Sequence, residues 1–567
     1  MWKQWKVWLC AFFAGAVWLA GPASAQAPGG NATPAVAGLQ GYLASVAWLQ
    51  ANLGRPDVLV LDASPTPLHR KGHIPGAVNA DLFPYATHAG MAGMEKRFQS
   101  WGVEPGLTTV IVDEGGTYQA ARLFWDMVQH GLPAQRLFIL DGGMAKWREA
   151  GAAVTQEPTP PRTPSTVRLS ALNPDVRVYL PEFLAATANP ARHVMLEALD
   201  PDYFYGGAGF FNRPGHVPNA TLMPSDDLFN ADKTFKSPAE MRRMFQHLGV
   251  KPDREVLTYC GGGGAAAVPF FALKYLLGYP QVKMFQESQR GWLQDERQLP
   301  VWTYGAPYLV RDTAWLKTWG SVFARRFGLA QVGVVDVRSA EAFKLGHVPL
   351  AQHLSVPELT KHLHQPEQLA ALLSRAGLQG HEEAVVVAEG GLTEAAALAF
   401  LVLDSLGQQR VSMQFDSIER WADAGLDITR PAAATAPASG PASGAANPAV
   451  PKPYAARPRS GVLVSGALQT ESIFPKVYIR STAGTNPLPA QAPPGRVIDL
   501  PAAQFLASDG TPKPAKDIWK AMEKAGVPRY AELVFVADTP QHLGPAAVNY
   551  FIFKLMGFAD IKVWAPT

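Results

Sequence analysis

Short apolar runs rich in Val, Ile and Leu alternate along the chain with longer stretches that mix apolar and polar positions at helical spacing. Val58 to Asp62, Val194 to Glu197 and Val332 to Asp336 each end in an acid. Val110 to Val112, Glu255 to Tyr259 and Val385 to Val387 form a second set. Runs this short and this apolar predict strands buried on both faces, and their alternation with helical stretches predicts an α/β fold with mainly parallel sheets flanked by helices.

The pattern repeats. Gly72-His73-Ile74-Pro75-Gly76-Ala77 recurs as Gly215-His216-Val217-Pro218-Asn219-Ala220 and as Gly346-His347-Val348-Pro349-Leu350-Ala351. After each comes the second strand and a turn of small residues, then a helical stretch, a further strand and a Trp (Trp147, Trp292, Trp421). Aligning the turns puts Glu114, Cys260 and Glu389 at one position. A worn fourth copy follows, with Gly495 to Leu500 as first anchor and Glu532 to Asp538 as second, which puts Asp538 at that position. The predicted units span 36–156, 168–303, 307–430 and 458–567. A stretch of mostly Pro, Ala, Gly and Ser over 431–457 is expected to be an extended linker.

The informative turn is Cys260-Gly261-Gly262-Gly263-Gly264-Ala265-Ala266, between the strand from Glu255 to Tyr259 and a helix expected over Val268 to Leu277. Ligands of parallel sheets sit beyond the C-terminal ends of the strands, and Cys260 lies at such an end. Glycines let the main chain wrap closely around the sulfur, and converging N–H groups at a helix start favour an anion there. The plainer alternative is a buried structural cysteine before a flexible turn.

Composition narrows the setting. Residues 1–25 carry Lys3 and Lys6, an apolar run from Val7 to Ala20, and Ala23-Ser24-Ala25, the pattern of a signal peptide cleaved after Ala25. A periplasmic or secreted location is expected. Loss of Cys10 with that segment would leave Cys260 as the one thiol, so no internal disulfide is expected. A formal net charge of +3 makes no electrostatic case for nucleic acid or an anionic membrane. No His/Cys/Asp cluster has metal-ligand spacing, and no cofactor motif stands out; the glycine run lacks the Lys-Ser/Thr of a phosphate loop.

A repeated Gly-His-Ile/Val-Pro-x-Ala combined with strand, Cys, Gly-rich turn and helix resembles the rhodanese-like (sulfurtransferase) family, here as four tandem units over nearly the whole chain. The resemblance implies that Cys260 accepts a sulfane sulfur from a small donor such as thiosulfate or 3-mercaptopyruvate, and passes it from a persulfide to a thiol, to cyanide or to a protein acceptor. Gly261, Gly262, Gly263, Gly264, Ala265 and Ala266 would cradle the persulfide with main-chain N–H groups. Two easier displacements would replace one, giving ping-pong kinetics.

Departures from the family pattern bear on donor binding. The turn carries no basic or hydroxyl side chain. The family's Asp-x-Arg falls at Glu197-Ala198-Leu199, so its arginine is missing, and Arg213 and Arg290 are candidate substitutes. The Asp-Gly-Ser after the next strand is Gln286-Glu287-Ser288, where only Ser288 matches. His73 is a candidate at the cleft, because related two-domain enzymes bring this part of the first unit near it; His216 and His347 are expected to serve the fold. Glu114, Glu389 and Asp538 cannot carry sulfur, and their carboxylates are expected to cap the helices that follow. Phosphatase chemistry is disfavoured, since Ala265 to Ala267 stand where an arginine would clamp phosphate. The rival to an enzyme is a non-enzymatic sulfur carrier or partner-binding protein.

Overall fold

In a computed structural model the described residues are 39, 41–82, 90–430, 453–482 and 488–566. The signal-peptide expectation, and the linker up to residue 452, lie outside them. The described residues contain four five-stranded sheets, parallel throughout. All four share one order: numbering strands within a sheet by their sequence, they run 1-5-4-2-3. The second sheet reads Arg177–Val178, Val282–Phe285, Glu255–Tyr259, His193–Glu197, Ala220–Leu222. Central strands such as Thr108–Val112, Val332–Asp336 and Glu532–Val536 are buried along their whole length, because helices cover both faces.

The Gly-His-x-Pro repeat closes each of the first three units. The main chain of His73, His216 and His347 bridges antiparallel to Thr155, Trp302 and Thr429 near the end of the same unit. Each imidazole donates from Nδ1 to a carbonyl, of His69 (2.9 Å), Phe204 (2.7 Å) and Phe343 (2.9 Å), and stacks on that same residue's ring. Burial holds the His216 imidazole neutral, pushing its pKa down to about 3. His73 makes the same contacts as its two counterparts, so the structure gives it this closing role and not the donor-binding one its place in the sequence suggested.

Units pack in pairs through the helix that follows the small-residue turn. Gln119–Gln129 lies against Ala267–Phe271, where Phe124 meets Phe271 edge-on at 4.9 Å and Trp125 Nε1 donates to Val176 O at 3.0 Å. Glu394–Ser405 lies in the same way against Pro540–Leu555, where Phe400 meets Phe551 at 5.0 Å. The pairs are joined because the fourth sheet's unit docks on the second's. Tyr205 stacks on Trp519 at 5.3 Å, its hydroxyl donates to Met556 O at 3.0 Å, and Arg529 pairs with Asp227. One apolar core runs through the second, third and fourth units, and another through the first and second.

The expected linker is shorter than its composition suggests. Tyr454 is buried, its hydroxyl donates to Gln408 Oε1 at 2.7 Å, and Arg457 N donates to Leu406 O at 2.8 Å. Residues 454–457 therefore dock on the third unit, because an aromatic ring among the Pro and Ala gives the segment something to bury.

Candidate active site

The strand Glu255–Tyr259 is central, hydrogen-bonded to His193–Glu197 on one side and Val282–Phe285 on the other. Cys260 follows it directly, is buried at 2% exposure, and is the free cysteine among the described residues. The Cys260 Sγ accepts the main-chain N–H of Gly263 at 3.1 Å. The helix expected next spans Ala267–Phe271 and continues in π register over Ala272–Leu276.

The turn is clamped from three sides. Ser288 Oγ accepts from Cys260 N at 3.1 Å and donates to Phe285 O at 2.8 Å, while the N–H groups of Gln289 and Arg290 donate to the carbonyls of Cys260 and Gly261. Gly263 has φ +81°, and a Cβ there would come within 2.4 Å of Gln286 O, so only glycine fits. A Cβ on Gly261 would strike the Phe210 ring at 2.5 Å, and one on Gly264 the Tyr118 ring at 2.8 Å. Gly262 faces open space and is exposed, which makes it the rim of the site.

Part of this enclosure comes from the cysteine-free first unit. Arg122, on the helix Gln119–Gln129, is 2% exposed and donates from Nη1 to Gly263 O at 2.8 Å. Its Nε pairs with Asp126 at 3.2 Å. Tyr118 packs on Gly264, and burial first, then its proximity to Cys260, pushes its phenol pKa up. Sequence reasoning missed both residues. The signal was an Arg and an Asp at i and i+4 inside an otherwise apolar helix, which implies a buried pair with a task.

Beside Cys260, Glu197 is fully buried and faces Tyr259 across the sheet. Burial pushes its carboxyl up to about 8, against hydrogen bonds from Tyr259 and Gln289 that pull it down. Gln289 Nε2 donates to both carboxyl oxygens, at 3.1 and 3.2 Å, and to Gly215 O at 3.0 Å. The missing Asp-x-Arg arginine is thus replaced by neutral partners. The third unit keeps that arginine, where Arg338 pairs with Asp336 at 2.7 Å.

The two candidate arginines change order. Arg213 donates to the carbonyls of Leu293 (2.9 Å) and Leu299, tying a hairpin to the loop beyond Trp292, so its guanidinium is spent on the fold. Arg290 lies in the short helix Ser288–Leu293, its main-chain N–H donating to Gly261 O in the cysteine turn at 3.0 Å, and among the described residues its guanidinium makes no hydrogen bond or ion pair.

Sheet register also corrects the alignment of the turns. Tyr259 pairs with Glu197, and Val112, Val387 and Val536 pair in the same way with Asp62, Asp336 and Arg480. The residue after each is Cys260, Asp113, Ala388 and Ala537, so Glu114, Glu389 and Asp538 stand one place past the cysteine position. Main-chain bonds agree: Met144 N donates to Asp113 O as Gln289 N does to Cys260 O. Nor do Glu114 and Asp538 cap helices, for they pair with Arg148 (2.8 Å) and His542 (2.5 Å). Asp113 is the side chain that fills the first unit's turn. It accepts from the N–H groups of Gly115 (2.9 Å) and Ala120 (3.0 Å) and from Thr117 Oγ1 (2.6 Å), holding an acidic oxygen where the second unit holds sulfur.

Comparison with known proteins places this geometry. The family model described as "Rhodanese-like domain" matches residues 45–150, 188–295 and 321–424. The chain is 28% identical over 270 residues to the sulfur carrier protein TtuD of Thermus thermophilus, covering 44% of this chain and 93% of the relative. It is 29% identical over 286 residues to a probable 3-mercaptopyruvate sulfurtransferase of Pseudomonas aeruginosa (45% and 95%), and 28% identical over 257 residues to a thiosulfate sulfurtransferase of the same organism (43% and 91%). With three matched segments that together exceed half its length, the chain belongs to the rhodanese-like family.

Proposed function

We propose that this protein is a rhodanese-type sulfurtransferase whose nucleophile is Cys260. The observation that carries the reading is the one free thiol among the described residues, placed just beyond the C-terminal end of a central parallel strand, with a main-chain N–H 3.1 Å from its sulfur and a glycine turn closed around it. In the first half-reaction the thiolate attacks the outer sulfur of thiosulfate; an S–S bond forms, the donor's S–S bond breaks, and sulfite leaves with the electron pair. With 3-mercaptopyruvate the C–S bond breaks instead and the carbon takes the thiol proton, releasing pyruvate. In the second half-reaction cyanide, a thiolate or a protein acceptor attacks the terminal sulfur of the persulfide and the Cys260 thiolate leaves. The Gly263 N–H stabilises negative charge on the sulfur in both. Arg290, with no partner among the described residues, is the cation proposed to meet an anionic donor.

The proposal extends to architecture and address. The shared strand order supports reading the fourth sheet's unit as a degenerate copy, giving four tandem units of which only the second carries a cysteine. The leader-like pattern of residues 1–25 supports export, which cell fractionation checks.

The test is intact mass. Incubation with thiosulfate or 3-mercaptopyruvate should add one sulfur atom, and cyanide should remove it with release of thiocyanate over many turnovers. Cys260→Ser should fold and take up none. One sulfur loaded and none turned over, with any of cyanide, dithiothreitol or a thiol protein as acceptor, would replace the enzyme by a carrier.

A further inference from the structure

A cavity of about 580 Å³ lies where the second, third and fourth units meet, and neither Cys260 nor its glycine turn is among its lining residues. His193 opens the strand that ends at Glu197, and Arg254 immediately precedes the strand that leads to Cys260; both line the cavity. The cavity therefore reaches the N-terminal ends of these strands and runs along the edge strand Ala220–Leu222.

Its lining is cationic and aromatic. Arg254, Arg410, Arg529 and Lys554 line it together with Tyr205 and Tyr530, and among the described residues no Asp or Glu does. The neighbouring carboxylates are outnumbered. Asp404 serves both Lys554 and Arg459, and Glu383 serves both Arg311 and Arg410; these acids line a smaller adjoining cavity of about 210 Å³. Arg529 has Asp227. Arg254 has no carboxylate: it donates only to the main-chain oxygens of Gly249, Pro190 and His193. The Nε atoms of Arg254 and Arg529 are both buried without an acceptor among the described residues. Basic side chains that converge on a half-open space with few carboxylates beside them make it positive, which favours an anion there.

We propose that this junction cavity binds a small organic anion with an apolar or aromatic body. The charge is met by Arg254, Arg410 and Arg529, and the body lies against the tyrosines. Because the lining comes from three units, the bound anion would brace the docking of the third and fourth units on the second. This site is independent of Cys260 chemistry.

The test uses the full-length protein and naphthalene-2-sulfonate as probe, with 2-naphthol as its neutral counterpart, in titration calorimetry at neutral pH. The sulfonate should bind one per chain, at least about tenfold tighter than the naphthol, as expected for a hydrogen-bonded charge. Arg410→Ala, at an exposed side chain, and Arg254→Gln should each weaken the sulfonate about tenfold and leave the naphthol unchanged. Arg297→Gln, at a surface arginine elsewhere, should change nothing. Equal binding of sulfonate and naphthol would overturn the proposal, as would wild-type affinity in Arg410→Ala. If Arg254→Gln does not fold, Arg410→Ala decides.

Discussion

Arg122 and Gly263 lie 141 residues apart in sequence and 2.8 Å apart in space, the arginine Nη1 donating to the glycine carbonyl. The same glycine gives its N–H to the Cys260 sulfur. A unit with no cysteine therefore holds the residue that holds the Cys260 sulfur, and this is a physical reason for such a unit to persist beside the one with the thiol.

Removing Arg122 should separate two effects. Arg122→Ala leaves Asp126 buried and unpaired, which costs about 3–5 kcal/mol. The double variant Arg122→Ala/Asp126→Ala should recover most of that stability but not the rate of sulfur loading, because the turn still lacks its anchor. Thermal unfolding and stopped-flow loading by thiosulfate measure the two. Recovery of both together would reduce Arg122 to a structural residue.

Gly263→Ala should be severe in a way that Gly262→Ala is not. At Gly263 the left-handed backbone alone costs about 1–2 kcal/mol, and the new Cβ meets a carbonyl oxygen that cannot move far. At Gly262 the Cβ meets open space. Loading should fall at least about tenfold in the first and stay near wild type in the second, on the rule that 1.4 kcal/mol is a factor of ten.

Glu197 should make stability fall as pH rises. Its folded-state carboxyl keeps the proton up to about 8, whereas in the unfolded chain it releases it at about 4.3. Between these values the unfolded state binds fewer protons, so this group's contribution declines from pH 5 to 8 and is flat above. Glu197→Gln keeps a hydrogen-bonding partner for Gln289 and removes the titration. Its melting temperature relative to wild type should climb across that window, and parallel curves would reject the assignment.

Access to the sulfur should depend on Phe210, whose ring covers Gly261. Phe210→Ala should speed alkylation of Cys260 by iodoacetamide severalfold without lowering the melting temperature, since the ring is only half-buried. An unchanged rate would place the entry elsewhere along the rim.

A chain ending at Arg430 should be unsound. Truncation strips Pro540–Leu555 from the buried helix Glu394–Ser405 and removes Trp519 from Tyr205. The exposed apolar core should make the truncated chain aggregate or melt well below the full chain, as light scattering and calorimetry would show. Full solubility and unchanged melting would mean that this interface contributes little.

By itself the sequence determined the strands, the repeat and the one thiol at a strand end. Apolar β-branched runs, glycine turns and a fixed spacing are local properties, and local chemistry suffices to read them. It also marked the Gly-His-x-Pro motif, but not that His73 closes its own unit as His216 and His347 do. Only the tertiary structure decided which residue of each turn corresponds to Cys260, because turns of unequal length align by appearance whereas hydrogen-bonded register counts residues from the strand. It moved that position from Glu114 to Asp113, from Glu389 to Ala388 and from Asp538 to Ala537. It also bound Arg213 to carbonyls, left Arg290 beside the turn and brought in Arg122 and Tyr118. Each of these depends on a partner far away in the chain, and a side chain's task is set by what the packed fold brings within hydrogen-bonding reach of it.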